Sequence, residues 1–189
     1  MIRLILKTLL VLIVLAVIAA AGGVLYVQHY GVSTAADPGP LETEVALRLR
    51  HLAIPAAERD RTNPVPATAE NIHAGMAHFA DHCAICHANT GVGDTDFGRG
   101  LYPKPPNLRL DRTQSLSDGE IFSIINNGVR FTGMPGFGSD PDHGPEDTWK
   151  LVLFIRHLPK ITKPELDEMD KLNPKSPGDQ DERRDHSKH

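Results

Sequence analysis

The chain has 189 residues, of which 40% are hydrophobic and 5% aromatic, and its formal net charge at pH 7 is −4. This length favours one globular domain with extensions, and the mild acidity gives no indication of nucleic-acid binding. Only two cysteines are present, and they lie within one short motif, so a disulfide framework is excluded.

An apolar run near the N-terminus predicts a transmembrane anchor over residues 1–30. Arg3 and Lys7 precede an uncharged stretch that ends at Tyr30. A spanning helix needs about 20 apolar residues, whereas a signal-peptide core has about 7–15. The length favours an uncleaved helix, and a signal peptide cleaved at residues 19–21 is the alternative. The basic flank predicts a single-pass protein of the cytoplasmic (inner) membrane, with everything that follows on the periplasmic or extracytoplasmic side.

Residues 31–68 are predicted to form a proline-containing spacer. The prolines of residues 36–40 and 63–66 indicate loops. Between them, apolar residues recur at helical spacing, which predicts a short helix. These residues are Leu41, Val45, Leu49 and Leu52. The pattern leaves open whether this helix lies on the domain, lies on the membrane or is a solvated linker.

The first helix of the globular domain is predicted to begin after the N-cap residue Thr68 and to end in a cysteine motif. That motif is Cys83-Ala84-Ile85-Cys86-His87. C-x-x-C-H is the attachment signature of c-type haem, in which two thiols bond the vinyl groups and the histidine is placed to ligate the iron. A thioredoxin-type pair would need a βαβ pattern, and a structural zinc site would need further Cys or His ligands. The motif therefore predicts one covalent haem c.

Two further helices are predicted downstream, and no alternating strand pattern of any length occurs. Ser117 and Glu120 form a capping box at the start of the second helix, and Gly128 is its C-cap. The third helix is predicted to start near Pro145 and to stop before Pro159. The sequence therefore predicts an all-α domain over residues 69–160.

Residues 161–189 are predicted to form a charged, largely flexible tail. Leu166, Met169 and Leu172 have the spacing of one short docking helix within it. His186 and His189 offer two imidazoles for a metal ion, although a solvated tail is the simpler interpretation.

A loop rich in glycine and proline carries the candidate for the second axial ligand of the iron. Met134 lies in Gly133-Met134-Pro135-Gly136-Phe137-Gly138. Such a loop lets the chain pass around the edge of a haem while few backbone conformations remain open to it. His143 is the rival for this position, because His/His pairs also hold haem iron. Met76 differs from Met134 because it lies on the apolar face of the first helix, which predicts a core residue.

In the order of these elements, residues 69–160 resemble the class I mono-haem cytochromes c. The shared order is a helix ending in C-x-x-C-H, a loop with a proline, a middle helix, a methionine loop and a C-terminal helix. The resemblance implies three to five helices around one covalent haem. It also implies that Gly75 and Phe79 lie where the first helix crosses the last, and that the carbonyl of Pro106 accepts the Nδ1 proton of His87.

The resemblance implies an electron-transfer protein rather than an enzyme. With His87 and Met134 on the iron, no site would be open to O₂ or peroxide, so the expected chemistry is outer-sphere transfer of single electrons. The expected partners are redox proteins such as membrane dehydrogenase or oxidase complexes. A haem-bearing subunit of such a complex and a peroxidase-like haem enzyme are the alternatives. Arg99, Tyr102 and Trp149 are candidates for hydrogen bonds to the haem propionates, with surface or packing roles as the alternative.

Overall fold

A computed structural model describes residues 1–31, 33–138 and 143–174. Within these ranges the chain consists of helices, turns and loops, and no strand occurs. The predicted all-α fold class is confirmed. The chain forms two compact units, one over residues 1–36 and one that begins at Asp37. Residues 175–189 of the predicted tail lie outside the described residues.

The first unit consists mainly of helix α1 (Ile2–Tyr30), which has 29 residues. An 18-residue stretch within Ile2–His29 has a mean hydropathy of 2.9, and none of its residues is buried. Length and composition allow this helix to cross a membrane, and a signal sequence would meet the same criteria. An apolar helix therefore occupies the place where the sequence predicts the anchor.

The second unit contains the remaining helices. They are α2 (Pro40–Ala53), α3 (Ala56–Arg59), α4 (Ala69–His78), α5 (Ala84–His87), α6 (Asp96–Arg99), α7 (Asp111–Gln114), α8 (Asp118–Asn127), α9 (Pro145–His157) and α10 (Lys163–Leu172). A π-helical turn over Phe79–Cys83 joins α4 to α5, and a 3₁₀ turn over Leu158–Lys160 follows α9.

The helix ends lie at the residues that the sequence singled out. The Thr68 side chain accepts a hydrogen bond from the Asn71 backbone N–H at the start of α4. Ser117 and Glu120 form both bonds of the capping box of α8. Gly128 ends α8 with a φ of 68°, which glycine adopts without a steric penalty. These local signals fixed the boundaries because each satisfies backbone groups that a helix end leaves unpaired.

The core lies where α4 crosses α9, and α8 closes one side of it. The Phe79 ring lies 5.2 Å from the Phe154 ring, and both are almost fully buried. Met76 is also buried, as the helical pattern predicts. Full burial of such side chains contributes about 1.5–3 kcal/mol each. The crossing therefore supplies much of the energy that holds the cysteine motif in place.

Part of the predicted spacer packs against the domain. Helix α2 forms, but the apolar residues that predicted it (Leu41, Val45, Leu49 and Leu52) are exposed. The contacts are polar instead. His51 Nδ1 lies 2.8 Å from Glu120 Oε1, and Ser117 Oγ donates to the Arg59 carbonyl at 2.6 Å. Ile54, between α2 and α3, is buried. The segment is therefore attached to α8 through polar contacts near its C-terminal end, and not through the apolar face of α2.

The start of the predicted tail also belongs to the packed unit. The Thr162 side chain caps α10, and Met169 in that helix is fully buried in the core. Asn173, directly after α10, donates to the Ala80 carbonyl at 2.7 Å. The docking helix suggested by the apolar spacing of residues 166–172 is thus present, and the packed region extends to residue 173 rather than ending at residue 160.

Candidate functional site

The second unit encloses a largely apolar cavity of about 420 Å³. Pockets for cofactors and other small molecules commonly measure about 300–1,000 Å³. The π-helical turn after α4, helices α5, α8 and α9 and the loops between them supply most of its walls. Helices α2, α6 and α7 contribute one residue each, namely Arg50, Phe97 and Thr113. All five predicted site residues line this one cavity. They are Cys83, Cys86, His87, Pro106 and Met134.

The cysteine motif is held by the loop that follows it. The Thr95 hydroxyl donates to the Ile85 carbonyl at 2.7 Å, and the Gly93 N–H donates to the His87 carbonyl at 2.9 Å. Gly93 has a φ of 80°, and a Cβ added there would lie 3.1 Å from the Pro105 carbonyl carbon. Only glycine fits this close approach. The chain after the motif therefore returns to place the proline loop beside His87.

The electrostatic environment of the two thiols differs from that of a redox-active pair. Both cysteines are half-buried. Burial, with a smaller effect of Cys86, raises the pKa of Cys83 to about 12. Burial also raises the pKa of Cys86. Redox-active cysteines of the thioredoxin type have lowered pKa values instead, so the electrostatics oppose that interpretation of the motif.

His87 is prepared to bind a metal through a neutral imidazole. Burial lowers its pKa to about 4, and the Pro106 carbonyl opposes this shift by interacting with the ring. Among the described residues, no hydrogen-bond acceptor reaches Nδ1 with normal geometry. Pro106 is therefore near the imidazole without a fully formed bond to Nδ1. Because the neutral form is the one that ligates metals, His87 can do so throughout the neutral pH range.

The methionine loop is fastened to the end of α8. The Val129 N–H donates to the Met134 carbonyl at 3.1 Å, and the Met134 N–H donates to the Thr132 hydroxyl at 3.1 Å. Beyond Met134, the Phe137 N–H donates to the Ile125 carbonyl at 3.0 Å. The half-buried Met134 thus lines the cavity from a backbone that is bonded on both sides.

Arg50 also lines the cavity, and sequence reasoning missed it because it belongs to the segment read as a spacer. Burial and repulsion by Arg112 lower its pKa, while Glu120 opposes the shift. A guanidinium stays charged in proteins. The cavity therefore has a partly buried cation in its wall, and no pattern within residues 31–68 indicates which of its side chains reaches the site.

The three residues that the sequence suggested for hydrogen bonds to the haem propionates lie elsewhere in the described structure. Arg99 is exposed and pairs with Asp94 and Asp96. The Tyr102 hydroxyl donates to a Glu42 carboxylate oxygen at 2.6 Å. Trp149 is buried and stacks on Phe122 with 4.2 Å between the rings. None of the three candidates is among the described residues that line the cavity.

The rival ligand His143 is placed away from the cavity wall. It is buried and packs edge-on against His78 and His82, with 4.5 Å between its ring and each of theirs. Of these three histidines, only His82 lines the cavity in the part of the chain that the structure describes. The geometry therefore favours Met134 over His143 as the residue facing His87.

A comparison with protein families found a match, and it covers most of this site. Residues 70–155 match the family described as cytochrome c oxidase, cbb3-type, subunit III. A search of curated proteins found no match. The matched segment contains the cysteine motif, the proline loop and the methionine loop. Covalently bound haem c, with its iron, is the cofactor of this family, and the apolar cavity, paired thiols and neutral imidazole fit it. Residues 70–155 form a mono-haem c-type cytochrome domain of class I, a haem-bearing electron-transfer unit.

Proposed function

We propose that the chain is a membrane-tethered cytochrome that carries single electrons by outer-sphere transfer through a His/Met-ligated haem. The observation that carries this proposal is that His87 and Met134 line one apolar cavity together with both cysteines. With both axial positions taken, the iron has no site at which O₂ or peroxide would bind. This argues against a peroxidase-like enzyme and in favour of a carrier.

Each site residue has a separate task. Cys83 and Cys86 would form the thioethers to haem, and His87 and Met134 would hold its iron. The Pro106 carbonyl, which lies near the His87 ring, would accept from Nδ1 in the haem-loaded protein, and would thereby orient the ring and increase its basicity as outer-shell partners of metal-bound histidines do. Bound haem c supplies a one-electron couple of its iron. A methionine ligand raises the reduction potential of that couple relative to two nitrogen ligands.

The protein also controls the surroundings of the haem. Leucine and isoleucine side chains of α8 and α9, such as Ile121 and Leu151, line the cavity. They exclude water, and a dry environment limits the reorganisation that accompanies electron transfer. Arg50 is the charged exception in this wall, and its cationic group complements a haem propionate. This role also explains why a partly buried guanidinium is tolerated there.

The proposed arrangement in the membrane rests on residues 1–30. The two basic residues before the apolar run favour a cytoplasmic N-terminus, which places the haem domain (69–160) on the extracytoplasmic side. Covalent haem attachment in bacterial c-type cytochromes takes place on that side as well. A tether keeps the domain at a high effective concentration near membrane partners, with the unpacked part of residues 31–68 setting its reach.

The second candidate function is a fixed haem-bearing subunit of a larger dehydrogenase or oxidase. The description of the matched family as an oxidase subunit favours it. Purification in mild detergent separates the two functions. A carrier elutes without a stoichiometric partner, because redox encounters bury little surface and are transient. A catalytic partner that co-elutes at a constant ratio would establish the subunit instead.

The ligand assignment is tested by optical and paramagnetic resonance spectra of the purified protein and of Met134→Ala. We expect low-spin haem in the wild type and high-spin or water-ligated haem in Met134→Ala. His143→Gln is the matched control and should retain the wild-type spectrum. Met134→His should remain low-spin with a lower reduction potential, because two nitrogen ligands replace His/Met. An unchanged spectrum of Met134→Ala would refute the assignment.

A further inference from the structure

Three histidines outside the haem ligand set come together beside the cavity. His78 lies at the end of α4, His82 lies in the π-helical turn, and His143 lies just before α9. One nitrogen from each ring can be chosen so that all three lie within 4.8 Å of one another. The sequence singled out His143 alone, as the rival for the second axial position of the iron. The fold instead gathers all three at one point.

We propose that His78, His82 and His143 form a binding site for a divalent late transition-metal ion, of which Zn²⁺ and Cu²⁺ are the best matched. Imidazole is a preferred ligand for both ions. Three protein ligands with one position left to water is the arrangement of open zinc sites. This site is separate from the haem iron and from its proposed ligands.

The geometry of the rings suits one shared ion. A Zn–N bond of about 2.0–2.1 Å in a tetrahedral site places ligand nitrogens about 3.3 Å apart. The present separations, at most 4.8 Å, close to that value through small side-chain rotations. The His143 ring stands at 69° to the His78 ring and at 89° to the His82 ring. The three rings therefore do not form a parallel stack that would keep the nitrogens apart.

The surroundings of the three histidines provide nearby carboxylates, a neutral imidazole and access from solvent. An Asp147 oxygen lies 3.8 Å from His78 Nε2, and an Asp81 oxygen lies 3.4 Å from His82 Nδ1. Carboxylates this close help to balance the charge of a bound ion, and a small shift into hydrogen-bonding distance would let them orient the metal-bound imidazoles. Burial, followed by repulsion from His143, lowers the pKa of His78, which favours the neutral form that binds metal. His78 and His82 are half-buried, so an ion can reach them from solvent.

Metal binding would connect two parts of the haem domain. His78 and His82 belong to the segment that delivers the cysteine motif, whereas His143 follows the methionine loop along the chain. A bound ion would link the proximal and distal sides of the haem site. Because a ligand that binds only the folded state stabilises it, we also expect the melting temperature of the haem-loaded protein to rise when Zn²⁺ is added.

The test is calorimetric titration with Zn²⁺ of the haem-loaded full chain, which is purified without a polyhistidine tag. We expect saturable binding of one ion per chain, and His78→Gln and His143→Gln should each weaken it at least about 100-fold. His73→Gln is the matched control on α4, because His73 is exposed and bonds Glu168 instead. The double variant H186Q/H189Q controls for the C-terminal histidines. Both controls should bind as the wild type does.

No saturable binding by the wild type, or loss of binding only in H186Q/H189Q or His73→Gln, would overturn the proposal. The haem spectrum of each variant reports its folding, and a His143→Gln protein that lost its low-spin haem would make His143 an iron ligand and also refute the site. The resonance spectrum of one bound Cu²⁺ should show several equivalent nitrogens, with fewer in His78→Gln.

Discussion

Gly75 in α4 packs against the main chain of Lys150 in α9. A Cβ added at Gly75 would lie 2.6 Å from the Lys150 carbonyl carbon and 3.1 Å from the Phe154 Cβ. Two helices approach this closely only where one of them lacks a side chain. The Phe79 ring, one turn further along, then reaches the Phe154 ring. This small residue and its aromatic neighbour set the crossing that directs the cysteine motif into the cavity.

The helix crossing gives the first prediction. Gly75→Ala should destabilise the haem domain by about 1–3 kcal/mol, because the helices must separate to admit the methyl group. In a domain of about 100 residues that loss lowers the melting temperature by about 4–8 °C for each kcal/mol. Gly39→Ala is the control, since a Cβ there meets nothing within 4 Å. Equal melting temperatures for Gly75→Ala and the wild type would contradict the crossing.

The second prediction concerns the carboxylate that joins α2 to α8. Glu120 accepts from the Ser117 backbone N–H at 2.8 Å and lies 2.8 Å from His51 Nδ1. We expect Glu120→Gln to cost about 1–2 kcal/mol at pH 7, measured by urea unfolding, because it weakens a capping box and an interaction between segments. Glu44→Gln removes an exposed pair with Arg48 and should change stability by less than about 0.5 kcal/mol.

The same carboxylate predicts a pH dependence. Burial raises the pKa of Glu120, but hydrogen bonds from Ser117 and His51 outweigh this effect and hold the pKa of the carboxyl below its ordinary value. The folded state therefore favours the ionised form. Its contribution is complete above the unfolded pKa and is lost as the pH falls through the folded pKa. The stability difference between the wild type and Glu120→Gln should shrink on acidification below about pH 4.3. A difference that grew instead would refute the sign of this shift.

The third prediction concerns Arg50. A cation near the haem disfavours the oxidised iron and offsets the propionate charge, so its removal should lower the reduction potential. We expect Arg50→Gln to lower the midpoint potential by on the order of tens of millivolts, measured by spectroelectrochemistry. Arg99→Gln is the charge-matched control, because Arg99 is exposed and does not line the cavity. Equal shifts in both variants would show a general effect of net charge.

The fourth prediction concerns the N-terminal helix. In the wild type, the haem protein should remain in the membrane pellet after alkaline carbonate extraction, which removes peripheral proteins. Replacing residues 1–36 by a cleavable export signal should release a soluble protein with an unchanged haem spectrum, because those residues form a separate compact unit. A wild-type protein found in the soluble fraction, shortened at its N-terminus, would indicate that the helix is a signal peptide.

Local sequence signals predicted the helices and the site, but not the long-range polar contacts. Ser117 and Glu120 marked a helix start because a capping box is complete within four residues. Arg50 was not predicted to reach the cavity, because the pattern of α2 says which residues share a face but not which surface that face meets. Met169 had the spacing of a docking helix, yet only the fold shows it fully buried. His78 and His143 are separated by more than sixty residues along the chain, so no local pattern indicates that they meet.

The proposed electron transfer depends most on how the iron is held between His87 and Met134. Near-infrared magnetic circular dichroism of the oxidised, purified full-length protein reads the axial ligand pair directly. A low-spin charge-transfer band at the energy of His/Met ligation is the expected result, and it should disappear in Met134→Ala. A band at the energy of His/His ligation, or a high-spin spectrum of the wild type, would contradict the proposed electron-transfer site.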